Sequence, residues 1–312
     1  MKATALLNRG GGAVARDPDI ADKARRALDQ AGIEAEVELI DAGETETRSN
    51  AAAERGDRLL IVGGGDGTIG AAASALAGTG TTLGILPLGT LNHFARDLGI
   101  PAGLDEAAQL IASGPERRVD VAEMNGRMFI NNSALGLYPL MVVDRDVQQK
   151  RLGRSKRLAV VVASLRTLIR FNHQRLTLTV NDEEQARVDT PLLFVGNNDY
   201  RIDIGAPGSR ASLDDGQLCV LVMRKKTRAG FVAASIRALF NRTKPDDMVR
   251  IEGVERLRVA SRRSQLTVGL DGEVISVSPP LDYRIRKRTL RVIAPLTGRA
   301  HKKAAEGFPP AA

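Results

Sequence analysis

The chain has 312 residues, of which 43% are hydrophobic, and a formal net charge of +8 at pH 7. This length predicts two domains of ordinary size. The chain has no Trp, and aromatic residues make up only 3% of it, which disfavours nucleic-acid binding through stacked bases. Its single cysteine, Cys219, excludes an intramolecular disulfide and a cysteine-rich zinc site, and is typical of a small core residue.

Strand-like and helix-like segments alternate over the first 115 residues. Apolar runs predict strands at residues 4–8, 35–40, 58–62 and 83–86. Amphipathic stretches predict helices at residues 18–31, 45–55, 69–77 and 91–98. A repeated strand and helix order favours a parallel sheet covered by helices, so we expect an α/β N-terminal domain.

The pattern changes after residue 117 to short strands separated by turn residues. The first two, at residues 119–124 and 128–134, are joined by Asn125-Gly126, a strong signal for a two-residue hairpin. Two helices interrupt the later strands, at residues 155–170 and 229–239. The later strands are predicted at residues 176–180, 187–189, 192–197, 218–223, 249–252, 257–260, 266–270, 274–277 and 290–294.

This pattern predicts an antiparallel β-sandwich or barrel-like second domain. We expect an N-terminal domain at residues 1–118 and the β domain at residues 119–294. For the polar segment at residues 295–312, packing against the first domain is left as an alternative.

Basic residues are concentrated in the C-terminal part of the chain. Residues 1–140 hold 13 basic and 19 acidic residues (−6), whereas residues 141–312 hold 32 basic and 18 acidic residues (+14). Clusters at residues 150–157, 224–228 and 284–291 suit an anionic bilayer surface or an ordinary solvated face. No run approaches the ~18 apolar residues of a membrane-spanning helix, so we expect a cytoplasmic protein that contacts the membrane peripherally.

A glycine run at residues 63–68 lies between a predicted strand and a predicted helix. Such a run is either a tight turn or a loop whose N–H groups approach phosphate oxygens. Asp66 favours the second interpretation, because a carboxylate beside phosphates needs a cation such as Mg²⁺ between them. A second glycine loop, Asn8 to Gly12, follows the first strand, and ligands in open α/β sheets bind at that edge.

Other polar turns carry candidate acids and hydroxyls. Thr90 either caps the helix after the predicted strand at 83–86 or donates its hydroxyl to a phosphate. Asp271 and Glu273 flank a glycine and form either a hairpin turn or a general base and magnesium ligand. Asp215, in an Asp-Asp-Gly sequence, forms a turn or a hard-cation site, and Asp120 is a further acid near the domain boundary.

Four of these motifs together resemble the bacterial diacylglycerol kinase catalytic family, which also includes sphingosine and ceramide kinases. They occur in the family's order and spacing, at residues 64–68, 86–96, 214–216 and 271–273. The resemblance implies an N-terminal nucleotide-binding α/β domain like that of 6-phosphofructokinase and NAD kinase. It also implies a C-terminal β-sandwich that offers the lipid, with the active site in the cleft between the domains.

The resemblance implies a role for individual residues. Asp66 would organise Mg²⁺ through water, Glu273 would be the general base on the acceptor hydroxyl, and Asp271 and Asp120 would extend the magnesium network. A separate structural metal site would use Asp215 and the carbonyls of Ser212 and Gln217. The expected ATP contacts are Asn8, Arg9, Gly10, Gly11, Gly12, Gly64, Gly65, Asp66, Gly67, Thr68, Thr90 and Asn92.

Three positions depart from the family pattern. His93 stands where the family usually has an Asp, and Asp41 stands near the usual place of a nucleotide-contacting Thr. Leu137-Tyr138 replaces a more usual pair of an aromatic residue and Asp. These positions bear on the ATP contacts and on the lipid pocket.

The sequence therefore predicts an ATP- and Mg²⁺-dependent lipid kinase that phosphorylates a diacylglycerol-like or sphingoid lipid at an anionic membrane surface. A soluble kinase acting on a nucleotide such as NAD is a second interpretation. A catalytically silent lipid- or nucleotide-binding regulator on the same scaffold is a third. No nucleic-acid partner is expected. An exposed edge strand of the sandwich is a place where two copies of the chain can pair, so a homodimer is left as an alternative.

Overall fold

The fold is described from a computed structural model, in which the chain divides into two compact units. The described residues are 1–10, 12, 17–136, 173–201, 209–210, 212–224, 227, 230 and 247–296. The first unit comprises Met1–Val121, Arg210–Asp215 and Arg286–Ala312, and the second comprises Ala122–Ser209 and Gly216–Ile285. The predicted helix at residues 155–170 and nearly all of that at 229–239 lie outside the described residues, as do Leu137-Tyr138 and the basic cluster at 150–157.

Strands and helices alternate in the N-terminal part of the first unit. A short 3₁₀ turn, Ala42–Glu44, precedes the second helix. The elements are β1 (Lys2–Asn8), α1 (Ile20–Gln30), β2 (Glu34–Ile40), α2 (Thr45–Glu54), β3 (Leu59–Gly64), α3 (Asp66–Leu76), β4 (Thr82–Pro87), α4 (His93–Asp97) and α5 (Leu104–Ser113).

Strands β1 to β4 of the first unit form a parallel sheet. β1 pairs with β2 and β3, and β3 pairs with β4. The C-terminal strand β18 (Leu281–Ile293) begins in the second unit and ends in the first, where Val292 lies opposite Leu83 of β4 in parallel. Every residue of β3 and β4 is buried, as expected when helices cover both faces of a parallel sheet. The α/β fold expected for the N-terminal part is confirmed.

Two helices of the first unit differ from the sequence-based expectation. α5 was not predicted, although buried residues at helical spacing, Ala107, Ala108 and Ile111, indicate one core-facing side. α3 begins at Asp66 and not at residue 69, because Gly65 takes the extended N-cap position directly after β3. The glycine run is therefore shorter as a loop than its composition suggested.

The second unit is built from antiparallel strands. The strands are β5 (Glu116–Met124), which begins in the first unit, β6 (Arg127–Phe129), β7 (Asn132–Gly136), β8 (Gln174–Val180), β9 (Glu184–Thr190), β10 (Leu192–Asn197), β11 (Tyr200–Arg201), β12 (Ser209–Arg210), β13 (Leu218–Met223), β14 (Met248–Val254), β15 (Arg256–Ser261), β16 (Leu266–Leu270) and β17 (Glu273–Val277). One sheet has the order β14-β13-β10-β7-β16-β17. In the other, β15 pairs with β8 and with the first part of β18, and β9 pairs with β8.

One core lies between the two sheets of the second unit. Leu178 and Leu257 of one sheet and Val195 and Val220 of the other are fully or almost fully buried in the same cluster. Buried side chains on facing sheets are the mark of a sandwich. The β-sandwich expected for the C-terminal part is confirmed.

Two sequence signals of the second unit are directly visible. Asn125 and Gly126 have φ angles of 48° and 83°, which fit the two-residue turn that joins β5 to β6. Cys219 is 4% exposed and packs with Tyr200 and Leu221, and burial raises the pKa of its thiol. Its interpretation as a core residue is confirmed.

Among the helices that the structure describes, none has the length and apolar character needed to span a bilayer.

Candidate functional site

The glycine run of the first unit forms the start of α3. Asp66 is the first residue of this helix, so the expectation that it lies in a loop is wrong. Asp66, Gly67 and Thr68 make up the first helical turn, whose backbone N–H groups have no partner within the helix. A helix start of this kind attracts anions through these N–H groups and the helix dipole.

Close packing explains the glycines at the end of β3 and in the loop after β4. A Cβ on Gly64 would lie 2.6 Å from Thr68 Cβ, and a Cβ on Gly89 would collide with Gly65 Cα. The two loops therefore pack backbone to backbone. By contrast, a Cβ on Gly67 would meet nothing within 4 Å, so this glycine borders open space.

A buried hydrogen bond links the first two glycine loops. Asn8 Nδ2 donates to Thr68 Oγ1 at 2.7 Å, and the two residues are only 7% and 6% exposed. Asn8 Oδ1 accepts the N–H of Gly10 at 3.0 Å. The end of β1 and the start of α3, both expected to contact ATP, are therefore brought together. Gly12 is half-buried, and Gly11 lies outside the described residues.

Arg9 and Asp41 pair with each other on the surface of the first unit. Arg9 Nε lies 3.2 Å from Asp41 Oδ1, and both side chains are more than half exposed. Asp41 also begins the 3₁₀ turn, where its N–H donates to Glu44 Oε2 at 2.8 Å. An exposed ion pair adds at most about 1 kcal/mol. The Asp at this departing position thus has a local capping role.

Asn92 closes the loop after β4. Its Oδ1 accepts the N–H of Gly89 at 2.9 Å, and its Nδ2 donates to the carbonyls of Pro87 and Gly89 at 2.9 and 3.1 Å. Asn92 is also the N-cap residue of α4, with a left-handed φ of 49°. Thr90 is exposed and does not cap this helix, so the capping interpretation of Thr90 is wrong.

The carboxylate of Asp66 joins α3 to α4. Its Oδ1 accepts the N–H of Phe94 at 3.0 Å, and its Oδ2 makes no hydrogen bond within the described part of the chain. A half-buried carboxylate with one oxygen left over is the kind of donor that Mg²⁺ prefers. The described residues contain no group of three or more His, Cys, Asp or Glu side chains arranged to hold a metal ion. Asp66 therefore fits Mg²⁺ with water or phosphate oxygens as the other ligands.

His93 lies beside this carboxylate. Burial is the main cause that lowers the pKa of His93, while the nearby Asp66 acts in the opposite direction. Arg96 Nη2 lies 3.0 Å from His93 Nδ1. Burial therefore disfavours a charged imidazole at this position, where the family that the sequence resembles usually has an Asp.

A buried ion pair that the sequence did not predict holds α4. Arg210 Nε lies 2.7 Å from Asp97 Oδ2, and their side chains are 0% and 2% exposed. The Arg210 guanidinium also lies 5.7 Å from the ring centroid of Phe94, whose N–H binds Asp66. Removing one partner of such a pair typically costs about 3–5 kcal/mol. The two residues are 113 positions apart, so no local pattern signals the pair.

Asp120 is fully buried in the first unit. Its Oδ1 accepts the N–H of Arg288 at 2.7 Å, and its own N–H donates to the carbonyl of Leu213 at 2.8 Å. Three separate parts of the chain therefore meet at Asp120. Its backbone holds the segment 212–215 close to the middle of β5.

The predicted structural metal site falls on this segment and on Gln217. Ser212 Oγ donates to Asp214 Oδ1 at 2.7 Å, and Asp215 is exposed. Gln217 belongs to the second unit, where its carbonyl accepts the N–H of Asn198 at 3.2 Å. A metal site at these residues stays a prediction.

The two acids of the second unit lie in one turn. Asp271 Oδ2 accepts the N–H of Ile130 at 2.8 Å, while its Oδ1 accepts those of Asn131 and Asn132 at 2.8 and 2.9 Å. Asp271 has a left-handed φ of 46°. Glu273 is the first residue of β17 and is exposed. The catalytic roles of both acids stay predictions.

Comparison with known proteins divides the chain in a similar way. The diacylglycerol kinase catalytic domain family matches residues 2–124. The YegS C-terminal NAD kinase beta sandwich-like domain matches residues 141–294. The diacylglycerol kinase of Bacillus subtilis (strain 168) is 30% identical over 258 residues, covering 81% of this chain and 83% of that protein.

Two solved structures have a similar fold. A diacylglycerol kinase from Bacillus anthracis str. Sterne has a TM-score of 0.66 and 20% identity, covering 95% of this chain and 97% of that one. An NAD kinase from Archaeoglobus fulgidus in complex with ATP has a TM-score of 0.51 and 14% identity, with 95% and 94% covered. At these identities the likeness concerns the fold alone.

Proposed function

We propose that this chain, which belongs to the diacylglycerol kinase family, transfers the terminal phosphate of ATP to the hydroxyl of a diacylglycerol-like or sphingoid lipid. Family membership supports a lipid kinase. The ATP and Mg²⁺ dependence, the acceptor and the place of action are our proposals. They rest on the residues described above.

The observation that carries the proposal is the start of α3 with its acid. The first turn offers free N–H groups, Gly67 borders open space, and Asn8 holds Thr68 in place from β1. This arrangement supports binding of the ATP phosphates at the helix start. The further ATP contacts that we propose are Arg9, Gly10, Gly11, Gly12, Gly64, Gly65, Thr90 and Asn92.

Asp66 would act on the phosphates through a cation. Mg²⁺, when bound, would supply positive charge that neutralises the phosphate oxygens. Asp66 would hold a water of that ion through Oδ2, since its Oδ1 accepts the N–H of Phe94. Asp120 and Asp271 would extend this network, although both accept backbone hydrogen bonds that already orient them.

Glu273 would be the general base. A carboxylate near the acceptor hydroxyl takes its proton as the oxygen attacks phosphorus, and phosphoryl transfer otherwise depends on positioning and charge neutralisation. Its exposure at the start of β17 leaves it accessible to a substrate. The bonds of Asp271 to residues 130–132 would fix the turn that carries it.

A second cation would have a structural role. Asp215 and the carbonyls of Ser212 and Gln217 are oxygen donors of the type that Mg²⁺ and Ca²⁺ prefer. The peripheral membrane contact that we propose rests on the basic surplus of residues 141–312. A homodimer stays a prediction.

The decisive experiment is incubation with ATP, Mg²⁺ and extracted membrane lipids, followed by mass spectrometry of new phosphorylated species. We expect a phosphorylated diacylglycerol-like or sphingoid lipid from the wild type. We expect none from Asp66→Ala or Glu273→Ala, both of which should remain folded by circular dichroism. Full activity of both variants would reject the residue assignment.

The same assay, repeated with NAD in place of the lipids, separates the two other interpretations. Phosphorylation of NAD without lipid would favour a soluble kinase, a possibility motivated by the NAD kinase fold. Binding of ATP without product from any lipid or from NAD would favour a silent regulator, motivated by His93 and Asp41. Either result would overturn the lipid kinase proposal.

A further inference from the structure

One end of a sheet in the second unit presents cationic side chains on its outer face. Arg175 of β8 lies opposite Asp189 of β9, and Thr177 lies opposite Arg187. Residues directly opposite in an antiparallel pair share a face. Leu176, on the alternate face, is buried in the core. Arg175 and Arg187 therefore project away from that core.

A cavity of about 1200 Å³ lies at this end of the sheet. The loop after β15 adds two more arginines to it, Arg262 and Arg263. All four arginines are exposed to solvent. We call these four residues and the space between them the basic hollow. Its other charged or titratable described lining residues are His173 and Asp189.

The arginines of the basic hollow differ from others in the same sheet. Further along the strands, Arg256 pairs with Asp182 at 3.0 Å, and Arg258 lies 3.4 Å from Asp282. Among the described residues, none of the four arginines of the basic hollow makes an ion pair or a side-chain hydrogen bond. Asp189 is the one acid among the described lining residues, and its Oδ1 lies 3.3 Å from His173 Nδ1. The basic hollow therefore holds an excess of positive charge.

We propose that the basic hollow binds the phosphate groups of an anionic bilayer surface. Guanidinium groups match phosphate oxygens with two parallel hydrogen bonds, and a concave surface of one sign concentrates the field. A free polyanion offers the same phosphate chemistry. We commit to the bilayer because the hollow is wide and its arginines are exposed, so they reach phosphates on an extended surface without a rearrangement of the protein.

This inference deepens the membrane part of the proposed function and names the residues that carry it. None of the basic clusters noted in the sequence includes these four arginines. Binding is measured without ATP, so that failure of the docking surface and failure of the kinase assignment give different results.

The test is co-sedimentation of the full chain with neutral phosphatidylcholine vesicles and with vesicles containing 30% phosphatidylglycerol. We expect binding only to the anionic vesicles, weakening as salt rises. Arg175→Gln combined with Arg187→Gln should weaken this binding about 30-fold, since each cation near such a surface contributes about 1 kcal/mol.

Arg256→Gln combined with Arg258→Gln is the matched control. It removes the same charge, but Arg258 lies opposite Thr179, four residues from Arg175 along β8. That separation of about 13 Å exceeds the Debye length of about 8–10 Å in physiological salt. We expect a loss of threefold or less. Equal losses in the two double variants, or equal binding to neutral vesicles, would overturn the proposal.

Two further arms complete the test. Should the β8 and β9 variant fail to fold, Arg262→Gln combined with Arg263→Gln probes the same hollow from a loop, with the same expected loss. Inorganic pyrophosphate that binds the wild type in an Arg175-dependent way, without any vesicle binding, would identify a free polyanion and overturn the bilayer assignment. If the wild type binds anionic vesicles but does not phosphorylate lipid in neutral detergent, that result counts against the kinase proposal alone.

Discussion

The two units each contain an Asp-Gly pair, and the structure uses the two carboxylates differently. Asp66 accepts one backbone N–H, from Phe94, whereas Asp271 accepts three, from Ile130, Asn131 and Asn132. Asp66 starts a helix, and Asp271 occupies the left-handed position of a turn. The same dipeptide therefore leaves an oxygen available for a ligand in one unit and ties down the backbone in the other.

This difference separates a carboxylate with an oxygen left for a cation from a carboxylate that also holds the backbone in place. An acid with a remaining oxygen can act on a cation without unfolding its surroundings. An acid that accepts three N–H groups is part of the scaffold, because its removal leaves those donors without a partner.

Asp66→Asn should lower the rate of phosphate transfer by about 10³-fold, equivalent to about 4 kcal/mol. The amide oxygen can still accept the N–H of Phe94, but the negative charge that would hold the cation is lost. The free energy of unfolding should change by less than about 1 kcal/mol. Steady-state kinetics and urea unfolding measure the two quantities. An Asp66→Asn variant that keeps its activity but loses stability would show that Asp66 has a structural role and not a chemical one.

Asp271→Ala should lower the free energy of unfolding by about 3 kcal/mol, because three backbone N–H groups lose a charged acceptor. Asp271→Asn should fall between wild type and Ala, since one oxygen can still accept from Asn131 and Asn132. Urea unfolding followed by circular dichroism measures both variants. A loss below about 1 kcal/mol for Ala would show that the turn does not depend on these bonds.

Tyr283→Phe provides the scale of one neutral hydrogen bond in the same unit. The hydroxyls of Tyr283 and Ser133 lie 3.0 Å apart, both buried, and burial raises the pKa of Tyr283 so that it stays protonated. We expect a loss of about 1 kcal/mol in the free energy of unfolding. Combining it with Ser133→Ala should add little further loss, because the unpaired partner is then removed. A loss as large as that of Asp271→Ala would mean that the number of bonds does not set the ranking.

Gly67→Ala should have the smallest effect on stability. A Cβ there meets nothing within 4 Å, and Ala favours a helix, so the free energy of unfolding should rise by about 0.5 kcal/mol. The KM for ATP should nevertheless rise, because the methyl group occupies space proposed for a phosphate. Gly89→Ala is the contrasting variant, since its Cβ would collide with Gly65 and destabilise the loops. An unchanged KM for Gly67→Ala would separate this glycine from the nucleotide.

Much of the fold was readable from the sequence because its signals are local. The alternation of strands and helices, the Asn125-Gly126 turn and the antiparallel strands of the second unit are confirmed, as is the family. β18 was predicted only at residues 290–294, because its basic composition resembles a solvated face. Yet Leu281, Tyr283 and Ile285 are buried and alternate with exposed residues, which is a readable strand pattern.

The candidate site was less readable, because its contacts are distant in the chain. The Asp97 and Arg210 pair joins positions that no periodicity relates, and the bonds of Asp271 reach back about 140 residues to residues 130–132. A glycine can serve close packing or leave space for a ligand, and the sequence alone does not distinguish these two roles. Gly64 and Gly89 serve loop packing, whereas Gly67 leaves open space.

The division of the first unit among three chain segments has a consequence for its synthesis. Residues 210–215 supply Arg210, and the end of β18 pairs with β4, so both belong to a unit that begins at Met1. At about 5–20 residues per second, a ribosome makes residue 293 roughly 10–30 seconds after residue 121. The edge of β4 in the nascent first unit therefore stays unpaired by β18 until residues 292 and 293 have been made. A fragment ending at Val121 would keep this edge unpaired by β18 permanently.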